Sequence, residues 1–230
     1  MVTIMKTDSS RHVGNNICRD EVSPAVIKRL PRYFRYLREL LSSDILRISS
    51  GELSKLMHVT ASQIRQDLNC FGGFGQQGYG YNVKYLYGKI SEILGVTQNY
   101  NAAIIGAGNL GKALASSQIF EKRGVKLTAM FDINPEIIGS KISGYTVLSM
   151  DTIEKYVSEN PLDIAVLTLP KTVVSETAER LASLGVKGIW NFASREIELP
   201  NSNIIIENVH MGDSLMTLCY ELNQKNGDNK

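Results

Sequence analysis

At 230 residues, 43% hydrophobic and 21% charged, the chain can bury a sizeable core and is expected to hold two domains. It contains no apolar run of the about 18 residues that a bilayer span needs, no apolar signal core at its start, and three cysteines (Cys18, Cys70, Cys219) that match no zinc-ligand spacing, so a cytoplasmic chain with reduced thiols, no membrane and no metal is expected. The net charge of +2 hides an asymmetry: residues 1–90 carry 13 Lys and Arg against 7 Asp and Glu, residues 91–230 carry 12 against 16, and the basic part points either to a polyanionic partner or to an uneven solvated surface.

Residues 1–22 are polar and aperiodic and are expected to form a flexible arm. Ser23-Pro24 is a helix-opening pair, and the segment Ala25 to Leu41 sets Ile27, Leu30, Phe34, Leu37 and Leu41 on one face. Lys28, Arg29, Arg32, Arg35 and Arg38 fall on the opposite face, and Pro31 should kink or restart the helix. A short helix at Ser50–Met57, a tight connection at His58-Val59 and a capped helix from Thr60 to about Cys70 form a helix-turn-helix pattern. Phe71–Tyr81 reads as a glycine-rich β-hairpin, or wing, followed by a helix at Lys84–Leu94 and a linker at Gly95–Tyr100. The first domain is therefore expected over 23–95.

In such a motif the second helix lies in the major groove with its N-terminal side chains at base edges. Ser62, Gln63, Arg65 and Gln66 are the candidates there, with Ile64 and Leu68 facing inward and Gln76 and Gln77 at the wing tip. Arg suits guanine or phosphate, and Gln suits adenine. A helical protein-interaction module with a solvated polar helix fits the same pattern.

From Asn101 the rhythm changes to strand and helix in alternation. Ala102–Ile105, Val125–Phe131, Ile164–Leu167 and Gly188–Trp190 suit buried parallel strands, Leu110–Glu121, Thr152–Glu159 and Val173–Leu184 suit helices, and Asn203–Ile206 can add a strand. The fold class expected is a doubly wound α/β Rossmann domain over 96–207 behind a winged helix-turn-helix. The stretch Gly106-Ala107-Gly108-Asn109-Leu110-Gly111 follows a strand and opens a helix: Gly106 permits the turn, Gly108 lets backbone approach a pyrophosphate, and Gly111 lets helix and strand pack closely. Asp132, 21 residues past Gly111 at the next strand's end, can accept from a ribose diol, and no Arg follows it, so NAD(H) is favoured over NADP(H). A glycine turn that binds nothing, or one that binds coenzyme A, is the alternative. Thr168-Leu169-Pro170 and Asn191-Phe192-Ala193 fall at strand ends, where they line the nicotinamide end or are ordinary loop.

Met211, Leu215, Leu218 and Leu222 form the seam of an amphipathic last helix, expected over 208–225. Cys70, Cys219 and Trp190 are expected in the core. The histidines, His12, His58 and His210, are poorly placed to donate a proton at a nicotinamide, so no catalytic residue and no enzyme is expected, although an NAD-dependent oxidoreductase is the rival to be tested.

Five stretches taken together, Arg29–Leu37, Val59–Leu68, Phe71–Tyr81, Gly106–Gly111 and Gly188–Ala193, resemble the Rex family of redox-sensing transcriptional repressors from about Pro24 to Leu222. The resemblance implies a homodimer that binds an inverted-repeat DNA operator when NADH is scarce and releases it when NADH rises, NAD⁺ being the weaker competitor. It implies, too, a last helix exchanged between subunits and packed by the partner's cofactor site. Gln66 stands where many members carry Lys, and Gln77 where the wing often has Arg; phosphate contacts are then fewer or come from Arg11, Lys55 and Lys84. The family's switch pairs an Asp with an Arg that corresponds to Arg35; here His210 stands at the acid's position, Ser117 at that of an associated Tyr, and Asp213 is the candidate replacement.

Release by NADH requires tighter binding to the released arrangement, by roughly 5.5 kcal/mol for a shift from 1:99 to 99:1. The nicotinamide ring is charged in NAD⁺ and neutral in NADH, so a pocket lined by Phe192 and the partner subunit's Met211 is expected to penalise the oxidised form.

Overall fold

The computed structural model describes residues 22–72, 74–76 and 79–227, in two compact units that divide between residues 95 and 96. The expected arm, except Val22, lies outside the described residues, as do Arg11 and Gln77.

In the first unit, α1 spans Pro24–Ser42, opened by the Ser23 hydroxyl, which accepts from the Ala25 N–H, and by proline at the first helical position. Its buried face is Val26, Leu30, Tyr33, Phe34, Leu37 and Leu40. Leu30, Phe34 and Leu37 are buried as expected, but the two ends of the expected stripe each fall one position off: Ile27 is 42% exposed and Leu41 only half-buried, with Val26 and Leu40 buried in their place. The fully buried Tyr33 centres the stripe, because its hydroxyl finds a buried acceptor. The helix runs through Pro31, which sits exposed, where water can satisfy the carbonyl that loses its donor.

After β1 (Arg47–Ile48), α2 spans Ser50–Met57 and begins with a capping box in which Ser49 and Glu52 each satisfy the other's backbone N–H. His58 takes a left-handed conformation, with φ 51°, that turns the chain into α3 (Ala61–Asn69), where the Thr60 hydroxyl caps the Gln63 N–H at 3.1 Å. Two short strands, β2 (Gly75–Gln76) and β3 (Gly80–Asn82), form the wing, and the unanticipated β1 pairs antiparallel with β3. The last helix of the unit, α4 (Val83–Ile93), packs on α1 with Phe34 and Tyr87 stacked at 4.9 Å.

The second unit holds a seven-stranded sheet in the order β10-β9-β8-β4-β5-β7-β6, built from β4 (Tyr100–Ile105), β5 (Val125–Asp132), β6 (Lys141–Ile142), β7 (Tyr145–Ser149), β8 (Ile164–Leu167), β9 (Gly188–Asn191) and β10 (Ile205–Asn208). All pairs are parallel except β6 with β7. Reading outward both ways from β4 gives the doubly wound order, with its reversal between β4 and β8. Side chains alternate between two buried layers, one with Phe131, Met150, Leu167 and Val174, the other with Ile104, Met130, Val147 and Val166.

The helices are α5 (Asn109–Ser116), α6 (Ile153–Glu159), α7 (Val174–Ser183) and α8 (Met211–Gly227). The sequence had extended α5 to Glu121. It stops at Ser116 because the Ser116 and Ser117 hydroxyls turn back onto the Lys112 and Leu114 carbonyls, after which a 3₁₀ turn at Glu121–Arg123 leads to β5. Among the described residues no helix is long and apolar enough to cross a membrane.

Candidate functional site

The glycine turn lies where the sheet reverses, at the carboxyl ends of β4 and β8. Gly106 has φ 103°, and a Cβ there would lie 2.7 Å from the Thr168 carbonyl oxygen. A Cβ on Gly111 would collide with the Gly106 carbonyl, which is the close helix-to-strand approach expected of it. Around Gly108, which lines the cleft, the space is open and no side chain caps α5, so the positive end of that helix lies at the cleft's edge without a side-chain cap. Ala107 is buried behind the turn, with Asn109 exposed and Leu110 half-buried at the helix start.

Asp132 ends β5 beside this turn. Its carboxylate accepts from the Ala107 N–H at 2.6 Å and from the Asn134 N–H at 2.9 Å, which holds it at the lip of the cleft. The cleft measures about 530 Å³ and is lined by Gly106, Gly108, Asp132, Thr168, Leu169 and Pro170, among others. Its walls include residues the sequence reading missed: Ile133, Met150, Val173, Glu176, Thr177 and Arg180. Arg180 is the one cation in that lining, and it is committed elsewhere, donating to Glu154 at 2.7 and 2.9 Å and to the Met150 carbonyl at 3.2 Å. A mostly apolar slot with an acidic lip and a neutralised arginine suits an adenosine that carries a free ribose diol.

Asn191 does something other than line the cleft. It is fully buried, its amide donates to the Arg195 carbonyl and the Asn208 side chain, and its oxygen accepts from the Ala193 N–H. Phe192 packs edge-on to Trp190 at 4.5 Å, and Trp190, expected in the core, is only partly buried. His210 pairs with Glu196 at 3.0 Å, and Asp213 sits in the first turn of α8, where the helix dipole favours an acid. Met211 is 61% exposed, and Leu215, Leu218 and Leu222 are also exposed along α8. Cys70 and Cys219 were expected in the core; both are exposed, one past the end of α3 and the other on α8.

On α3, Ser62, Arg65 and Gln66 are exposed, with Arg65 donating to the Ser50 hydroxyl at 3.1 Å; Ile64 and Leu68 are buried as expected. Lys55 and Lys84 are exposed on α2 and α4, Gln76 ends β2, and the Arg35 guanidinium lies over the Tyr36 ring at 5.2 Å. Asp67 was not anticipated: it is fully buried and accepts four hydrogen bonds, from Arg29 Nε and Nη2, Tyr33 and Gln63. Burial pushes its carboxyl up, but the hydrogen bonds from Arg29, Gln63 and Tyr33 and the charge of Arg29 together hold it below its ordinary value. Arg29, expected on the face opposite the apolar stripe, is therefore an anchor between α1 and α3. The signal was present in the i,i+4 spacings of Arg29 with Tyr33 and of Gln63 with Asp67. Among the described residues no group of His, Cys, Asp and Glu is placed to hold a metal.

Two family models match: a putative DNA-binding protein N-terminus over residues 21–69, and a CoA binding domain over residues 97–195. The redox-sensing transcriptional repressor Rex of Thermoanaerobacter pseudethanolicus is 54% identical over 207 residues, 90% of this chain and 92% of the relative. The protein of the same description from Clostridioides difficile is 53% identical over 86% of this chain and 94% of its own. A crystal structure of RSP, described as a Rex-family repressor, in complex with NAD⁺ and operator DNA matches at a TM-score of 0.83 and 53% identity, covering 90% of this chain and 95% of that one. RSP in complex with NADH matches at 0.83 and 50% identity, covering 91% and 98%.

Proposed function

The chain belongs to the Rex family of redox-sensing transcriptional repressors, and from that membership we propose that it binds an operator when NADH is scarce and leaves it when NADH rises. It is a DNA-binding repressor with NADH as its regulatory ligand, and not an enzyme. One observation carries the reading: a glycine turn and Asp132 frame a mostly apolar cleft of about 530 Å³ in one unit, while a capped helix in the other leaves Ser62, Arg65 and Gln66 exposed.

The operator is an inverted repeat read by two copies, which matches the two-fold symmetry of a homodimer. The exposed apolar seam of α8 supports an exchange of last helices that places Met211 by the partner's nicotinamide. Domain bounds of 23–95, 96–207 and 208–225, a cytoplasmic location and an Arg35–Asp213 switch pair belong to the same proposal. The coenzyme A reading is favoured by the model that matches 97–195, but Asp132 at the ribose opposes it, since coenzyme A carries a phosphate on that sugar.

The test is to titrate NADH, NAD⁺ and coenzyme A against the protein on a fluorescent inverted-repeat duplex at fixed salt, following anisotropy. Release by NADH at concentrations where the other two do little is expected. DNA binding indifferent to NADH overturns the proposal, and release by coenzyme A alone installs the second reading.

A further inference from the structure

The carboxylate of Asp67 has about four lone-pair directions, and all are filled. Oδ1 accepts from Arg29 Nη2 at 2.6 Å and Gln63 Nε2 at 2.8 Å, and Oδ2 accepts from Arg29 Nε at 2.7 Å and the Tyr33 hydroxyl at 2.9 Å. Arg29 and Tyr33 come from one face of α1, Gln63 from the first turn of α3. Tyr33 is fully buried, and Gln63 is half-buried beside the exposed Ser62.

From this geometry we propose that Asp67 is a positioning residue for base reading, acting through Gln63; the inference rests on the DNA-reading function above. A carboxylate with no proton accepts only, so the carboxamide nitrogen of Gln63 must turn toward Asp67 and its oxygen away. One N–H is committed to Asp67. The other N–H and the oxygen remain, the donor and acceptor that an adenine edge needs side by side. Because Asp67 is itself held by Arg29 and Tyr33, the orientation of Gln63 is set by α1 before DNA arrives. This differs from a purely structural anchor: a structural anchor holds α3 as a whole and affects every contact alike, whereas an oriented carboxamide affects one base pair.

The test uses the full-length protein on an inverted-repeat duplex selected from a randomised pool, together with every single-base-pair variant of that duplex, by anisotropy at fixed salt. The variants are Gln63→Ala, Asp67→Asn, and the double change Arg29→Met with Asp67→Leu, which replaces the ion pair with apolar contact and guards against failure of Asp67→Asn to fold. Gln63→Ala is expected to lose discrimination at one base pair per half-site, on the order of tenfold. Asp67→Asn and the double change should lose it at that same base pair, with the salt dependence unchanged. Adding Gln63→Ala to the double change should then remove nothing further. Losses spread evenly over the half-site, losses at a different base pair, or no positional loss in Gln63→Ala overturn the inference. A wild-type protein that binds all duplexes alike overturns the DNA-reading function itself, a distinguishable failure.

Discussion

The Thr168 hydroxyl donates to the Gly106 carbonyl at 2.6 Å, so the end of β8 is fastened to the turn that ends β4, across the point where strand order reverses. The same hydroxyl lies 3.2 Å from the Ile105 carbonyl. The two halves of the cleft therefore share one hydroxyl, and its loss reaches the cofactor through the backbone.

Thr168→Val keeps the shape and removes that donor. A net hydrogen bond is worth about 0.5–1.5 kcal/mol, so NADH affinity should fall by roughly 3- to 10-fold, as read by the fluorescence of bound NADH. Gly106→Ala, which forces a side chain onto the Thr168 carbonyl at positive φ, should abolish binding; NADH affinity unchanged in both variants would mean that the turn does not hold the cofactor.

On the proposed reading the Asp132 carboxylate, which lines the cleft, faces the ribose position that carries the extra phosphate of NADPH, and Arg180, the cation of that lining, is held by Glu154 and does not offset it. Asp132→Asn should weaken NADH modestly and narrow its preference over NADPH by about tenfold, since one charge is removed from close range. Calorimetric titration with both nucleotides measures the ratio, and an unchanged ratio rejects this role.

Removing Asp67 leaves the partly exposed Arg29 and the buried Tyr33 hydroxyl without their acceptor, at a cost of about 1–3 kcal/mol. Asp67→Ala should lower the melting temperature at pH 7 accordingly. The native carboxyl is held below its ordinary value, so its stabilisation is complete above the unfolded value of about 4 and is lost as pH falls through the native one. The gap between wild type and variant should shrink in melts taken toward pH 3; a gap constant with pH refutes the ionic origin.

The exposed Leu215, Leu218 and Leu222 should be covered in a dimer. Leu218→Lys is expected to shift the protein toward monomer in sedimentation velocity and to weaken operator binding by tenfold or more, because two half-sites are no longer bound together. A dimer undisturbed by the change would place the interface elsewhere.

Much of this architecture is legible in periodicity. The spacing of Ile64 and Leu68 on a capped helix, and the run Ala102–Ile105 before three spaced glycines, need little tertiary context to form. What escaped depends on partners far along the chain. The strands β1 and β6 have two residues each and exist only because β3 and β7 pair with them. Arg29 reads as surface charge until Asp67, 38 residues later, comes within 2.7 Å. Glu176 and Arg180 look like an ordinary polar helix face until the carboxyl end of β5 is brought beside them. The exposure of Cys70 follows from its place just past the end of α3.

Asn191, seated at the end of β9, also roots the final helix. Its carbonyl accepts from the Val209 N–H at 2.8 Å, and its side chain grips Asn208, whose amide in turn reaches Ile197 at 3.3 Å. Beyond this knot α8 extends for 17 residues, a rod roughly 25 Å long. Such a rod is a lever: a tilt of about 10° at the knot carries its far tip about 4 Å, close to the rise of three helical residues. A disturbance of 191–193 too small to register locally is thus amplified with distance, and the tip of α8 is the place to look for it.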